Sequence, residues 1–148
     1  MRLKQFRVTN FRSVEDSGWI EAEKVTALIG VNESGKTNLL LPLWKLKPAR
    51  DGEIQPTSDF PKTMFGAIRS VPANYLFIEA DFCTGTWAAK IAAKAGVTET
   101  EAELVRVARF FDGHYQVTFP GFQRRTSVPR AEVIARLESC MAKIEAGQ

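Results

Sequence analysis

Eight residues constrain this chain more than any others. Gly30-Val31-Asn32-Glu33-Ser34-Gly35-Lys36-Thr37 matches the pattern Gly-x-x-x-x-Gly-Lys-Ser/Thr at every fixed position. The apolar, β-branched run Val25-Thr26-Ala27-Leu28-Ile29 leads into it, and Leu39, Leu40, Leu43 and Leu46 follow at helical spacing. A buried strand over 25–29, a glycine-rich turn and a helix over 36–47 are therefore expected, with Pro42 bending or dividing the helix because it lacks a backbone donor. Glycines let such a turn close tightly and leave room for an approaching anion. Successive backbone N–H groups and the positive end of the helix then favour phosphate. Lys36 is expected to bridge β- and γ-phosphates, and the Thr37 hydroxyl to ligate Mg²⁺, a hard ion that prefers oxygen. The alternative is a glycine-rich turn whose Lys36 is merely solvated.

The rest of the chain reads as one domain. It has 148 residues, 45% of them apolar and 25% charged, enough to bury a core without covalent staples. Cys83 and Cys140 are far apart and form no metal-ligand spacing. No apolar run reaches the roughly 18 residues of a membrane span, and the basic-apolar N-terminus has no signal-peptide core, so a cytoplasmic protein is expected. A net charge of +3, with nine Lys/Arg against five Asp/Glu in the first fifty residues, permits nucleic acid as a partner without requiring it.

Further elements follow from local pattern. Leu3, Phe6, Val8 and Phe11 alternate with polar residues as in a half-exposed strand, and Trp19–Ala22 reads as a short second one. Residues 48–61 are loop-like. A short helix is expected over 61–69, capped by Ser58 or Asp59. Tyr75–Phe82 reads as a strand, and Thr86–Ala95 as a helix ended by Gly96. Asp112-Gly113-His114 between Leu104–Phe111 and Tyr115–Phe119 signals a hairpin, with His114 a turn residue. Ser127 and Pro129 introduce a terminal helix over 128–146 whose stripe is Val133, Ile134, Leu137, Met141 and Ile144.

Three segments carry a family resemblance: "LKQFRVTNFRSVED", "VTALIGVNESGKTNLL", and more loosely "FIEADF" with "VARFFDGHYQVTF". Together they resemble the ATP-binding cassette ATPases of the structural-maintenance-of-chromosomes (SMC) and RecF group, closest to the OLD (overcoming lysogenization defect) nuclease ATPases. The resemblance implies an α/β P-loop NTPase fold: the N-terminal lobe of an ABC-type ATPase head, with mixed and antiparallel strands plus helices. It divides residues 1–148 into strands and Walker A helix (1–47), loop and short helix (48–73), strands with a hairpin and an intervening helix (74–127) and terminal helix (128–148). Gly30, Asn32, Glu33, Ser34, Gly35, Lys36, Thr37, Asn38 and Arg12 would then surround ATP, with Thr37 on Mg²⁺ and Arg12 near the phosphates, a favourable place for a cation. Arg12 could instead pair with Glu15 or Asp16. Glu33 departs from the family pattern and should face solvent.

The same family needs a Walker B strand ending in two acids and a Ser-Gly-Gly signature from a second subunit, and neither follows the loop here. Tyr75–Asp81 imitates Walker B only in part, since Ala80 separates Glu79 from Asp81. Gln55 and Gln123 are weak counterparts of the Q-loop glutamine. "FPGFQRR" could contact nucleic acid or be a solvated hairpin exit. The expected function is ATP binding within a larger ATPase of DNA repair or phage defence, with little hydrolysis by this chain alone. The expected partners are ATP, DNA, and a second copy or another chain that supplies the signature half. A complete small P-loop kinase or GTPase using Glu79 or Asp81 for magnesium, and a non-enzymatic interaction module, are the alternatives.

Overall fold

The computed structural model describes residues 1–31, 35–48, 52–64, 66, 74–122, 134 and 138. Strand β1 (Arg2–Phe11) is the longest of the sheet and pairs with three others. One edge of it takes β4 (Leu76–Cys83), and the other takes β2 (Val14–Asp16) and then β3 (Ile20–Glu21). β5 (Leu104–Phe110) and β6 (Tyr115–Thr118) extend the sheet to the order β2-β1-β4-β5-β6. All these pairings are antiparallel.

The uneven apolar spacing of β1, at 3, 6, 8 and 11, has a backbone cause. The register slips at Lys4, so that Leu3 opposes Phe82 while Phe6 opposes Ala80 and Val8 opposes Ile78. A one-residue bulge thus returns Leu3 to the face of Phe6 and Val8. Asn10 then takes a left-handed conformation, φ 50°, and Phe11 is again fully buried. Phe6, Val8, Phe11, Phe77, Ile78 and Phe111 form the centre of the core. Phe60 closes it with edge-on contacts to Tyr75 and Phe111, at centroid separations of 5.1 and 4.9 Å.

Helix α1 (Lys36–Leu46) lies against β1 and β4 and adds Leu39, Leu43 and Leu46 to this core. It runs unbroken through Pro42, which is buried. Two donors from the far hairpin secure its C-terminal end: Arg109 donates to the Lys45 carbonyl, and Tyr115 Oη donates to that of Leu46 at 2.8 Å. Both fill acceptors that a helix end leaves open. That hairpin is the one expected from Asp112-Gly113, with Gly113 at φ 91° and His114 stacked on Phe110 in the turn. Helix α3 (Ala88–Ala95) ends, as expected, at a left-handed Gly96.

Some expectations are corrected. Residues 25–29 form no strand: Val25 is 87% exposed and Ile29 96%. A strand exists only by pairing, and no described segment lies beside this one to accept its hydrogen bonds. Helix α2 is Pro56–Asp59, so Ser58 and Asp59 sit inside it rather than in a cap. Of the helix expected over 61–69, Lys62–Met64 form a 3-10 turn and Gly66 is helical, while 65 and 67–69 lie outside the described residues. Cys140, Gln123 and most of the terminal helix over 128–146 lie outside the described residues, though Ile134 and Glu138 are helical and exposed.

Candidate phosphate-binding site

The start of α1 is built on a left-handed glycine. Gly35 has φ 87°, a conformation that costs an L-residue about 1–2 kcal/mol, and it precedes Lys36 as the N-cap. Asn32, Glu33 and Ser34 lie outside the described residues. Gly30 and Val31 before them are exposed coil. Lys36 Nζ donates to the carbonyls of Gly30 and Val31, each at 2.6 Å. Lys36 is therefore not a freely solvated side chain. Thr37 is exposed in the first helical turn.

The turn between β1 and β2 rests against this helix start. Asn38 Nδ2 donates to Ser13 Oγ at 2.8 Å, and the same hydroxyl is the nearest neighbour, at 3.8 Å, of any Cβ placed on Gly35. Arg12, next to Ser13, pairs neither with Glu15 nor with Asp16. It reaches Asp59, 47 residues away, with Nη2 3.1 Å from Oδ1. Asp16 instead pairs with Arg7, which pulls its carboxyl down to about 2. An open cleft of about 660 Å³ runs beside the helix start, lined by Arg12, Ser13, Asn38, Phe60, Lys62 and Thr63 among others. Its lining combines two cations, Arg12 and Lys62, one acid, Glu15, and the hydroxyls of Ser13, Ser58 and Thr63.

Sequence reasoning missed the member that ties these parts together. Asp59 is 1% exposed, and its second oxygen accepts from Lys45 Nζ at 2.8 Å and from the Gln55 backbone amide at 3.1 Å. A buried aspartate, a lysine on a helix and an arginine in a distant turn carry no common spacing that a linear reading could detect. Gln55, the described Q-loop candidate, accepts from Ser58 Oγ at the start of α2.

The proposed acids of a compact kinase are occupied elsewhere. Asp81 is fully buried and takes Arg106 Nε at 2.7 Å, Arg106 Nη2 at 2.9 Å and Gln5 Nε2 at 2.8 Å. Burial pushes its carboxyl up, but the Arg106 guanidinium and the Gln5 amide outweigh that and hold it below the usual range. Glu79 faces Arg7 at 3.9 Å. Both acids belong to cross-strand ion pairs, an environment that spends the charge a magnesium ligand would need.

No family model matches the chain, and no curated protein does. Among solved structures, it is similar to one from work on the ATP-driven dimerization and DNA-stimulated activation of SMC ATPases, at 18% identity and a TM-score of 0.41. That similarity covers 95% of this chain and 80% of that one. No helix among the described residues is long and apolar enough to cross a membrane.

Proposed function

We propose that this chain binds ATP with Mg²⁺ through the loop 30–37, as the nucleotide-binding lobe of an OLD- or RecF-like ATPase. The observation that carries the reading is the wrapped lysine. At the N-terminus of an eleven-residue helix, an ammonium group is held by two loop carbonyls at 2.6 Å, beside a glycine whose missing side chain leaves the approach open. The residues present fit the group. Helix-start amides and Lys36 would answer the phosphates, and the exposed Thr37 hydroxyl would offer an oxygen ligand to Mg²⁺. Arg12 and Lys62 add positive charge along the cleft.

Hydrolysis requires groups outside this sequence. Phosphoryl transfer is catalysed by positioning and by charge stabilisation from several residues at once. Here the two acids nearest in pattern are tied into the sheet. Exposed apolar side chains support assembly with a complementing segment or chain. Val25 and Ile29 before the loop and Val31 within it are exposed, as are Leu40 and Trp44, an i, i+4 pair on the outer face of α1. A second copy, and DNA as the substrate of repair or phage defence, belong to the same proposal.

Titration of the chain with ATP and MgCl₂, alongside Lys36→Ala, tests the binding claim; a phosphate-release assay tests the catalytic one. Binding without turnover is expected. Turnover of about 1 s⁻¹ or faster by the chain alone would contradict the need for a complementing half.

A further inference from the structure

We propose that Asp59 is a positioning residue for phosphate recognition: it holds the Arg12 guanidinium at the mouth of the cleft beside the phosphate loop. The inference rests on the ATP-binding reading and assigns a residue that reading does not include. Asp59 grips Arg12 at two points. Its backbone carbonyl accepts the Arg12 amide at 2.8 Å, and its Oδ1 accepts Nη2 at 3.1 Å. Arg12 has φ 53°, a conformation that a non-glycine residue keeps only where its surroundings enforce it.

The other half of Asp59 is fixed to the helix that carries Lys36. Oδ2 takes Lys45 Nζ at 2.8 Å, and Lys45, itself 7% exposed, also donates to the Glu53 carbonyl at 2.6 Å. Lys36 and Lys45 belong to one continuous helix, so Asp59 ties Arg12 to the element that presents the phosphate loop. Ser13 makes the matching contact at the other end of the helix, through Asn38. Arg12 keeps 36% of its side-chain surface exposed, so it is both anchored and accessible to an anion in the cleft.

The test is a double-mutant cycle on ATP affinity in MgCl₂, with Asp59→Asn and Arg12→Ala made singly and together and Lys36→Ala as reference. Asp59→Asn is expected to weaken binding about tenfold when Arg12 is present, the size of one charge-assisted hydrogen bond, and to add nothing in the Arg12→Ala background. Lys45→Met with Asp59→Asn, which removes the buried lysine charge, should fold and show the same loss. Equal losses with and without Arg12, or no loss at all, overturn the proposal while leaving the phosphate loop standing. Unchanged affinity in Lys36→Ala, or no ATP binding by the native chain, overturns both.

Discussion

The Asp81 carboxylate and the Arg106 guanidinium meet side-on across β4 and β5, through two hydrogen bonds of 2.7 and 2.9 Å, with the Trp19 ring 4.4 Å from the guanidinium carbon. This pair joins two strands of the sheet, and Asp81, one of the two acids that imitate Walker B in sequence, is held in it.

This pair makes stability depend on pH. The folded carboxyl of Asp81 is held below its ordinary value, so its contribution is complete above about pH 4 and fades as the pH falls through the lower folded value. Asp81→Asn should cost about 2 kcal/mol at neutral pH, less than a wholly buried pair because Arg106 keeps some solvent contact. It should also flatten the acid limb of the stability curve. Urea unfolding at several pH values measures both, and an unchanged acid limb would show that other carboxylates dominate.

Gly35→Ala tests the helix start. Among the described residues the added Cβ meets only Ser13 Oγ, at 3.8 Å, so the cost expected is conformational. A loss of about 1–2 kcal/mol is expected from the left-handed backbone alone. A melting temperature equal to that of the native chain would mean that Gly35 relaxes to an ordinary helical conformation.

Tyr115→Phe removes the hydroxyl that caps Leu46 at the far end of the same helix. Because Tyr115 is half exposed, water partly replaces the bond, and the loss should be about 0.5–1 kcal/mol. Hydrogen exchange of the last turn of α1 should quicken. Exchange unchanged there would show that Arg109 suffices as the cap.

The run 25–31 predicts tolerance. Ile29 is almost wholly exposed, so Ile29→Lys should change the chain's own stability by no more than about 0.5 kcal/mol and reduce self-association at high concentration. A loss of several kcal/mol would place this segment in a core.

Local chemistry made much of the fold legible. Asp112-Gly113 announced its hairpin, Gly96 its helix end, and the leucines after Lys36 a helix, although the division expected at Pro42 does not occur. What stayed hidden depends on distant partners. The β-branched run 25–29 has strand propensity, but propensity does not supply a neighbour to pair with. The bulge at Lys4 is visible only once β4 sets the register. At the candidate site, the motif spacing pointed to the glycine turn and helix start now seen at Gly35 and Lys36. Asp59 was not, because its partners Arg12 and Lys45 come together only when β1, α1 and α2 are packed.

The most direct measurement is calorimetric titration of the 148-residue chain with ATP in excess MgCl₂, repeated with Lys36→Ala. The account predicts saturable binding to one site in the native chain and its loss in the variant, with the two proteins equally folded by circular dichroism. Equal affinity in both, or no heat of binding in either, would contradict a triphosphate site at residues 30–37.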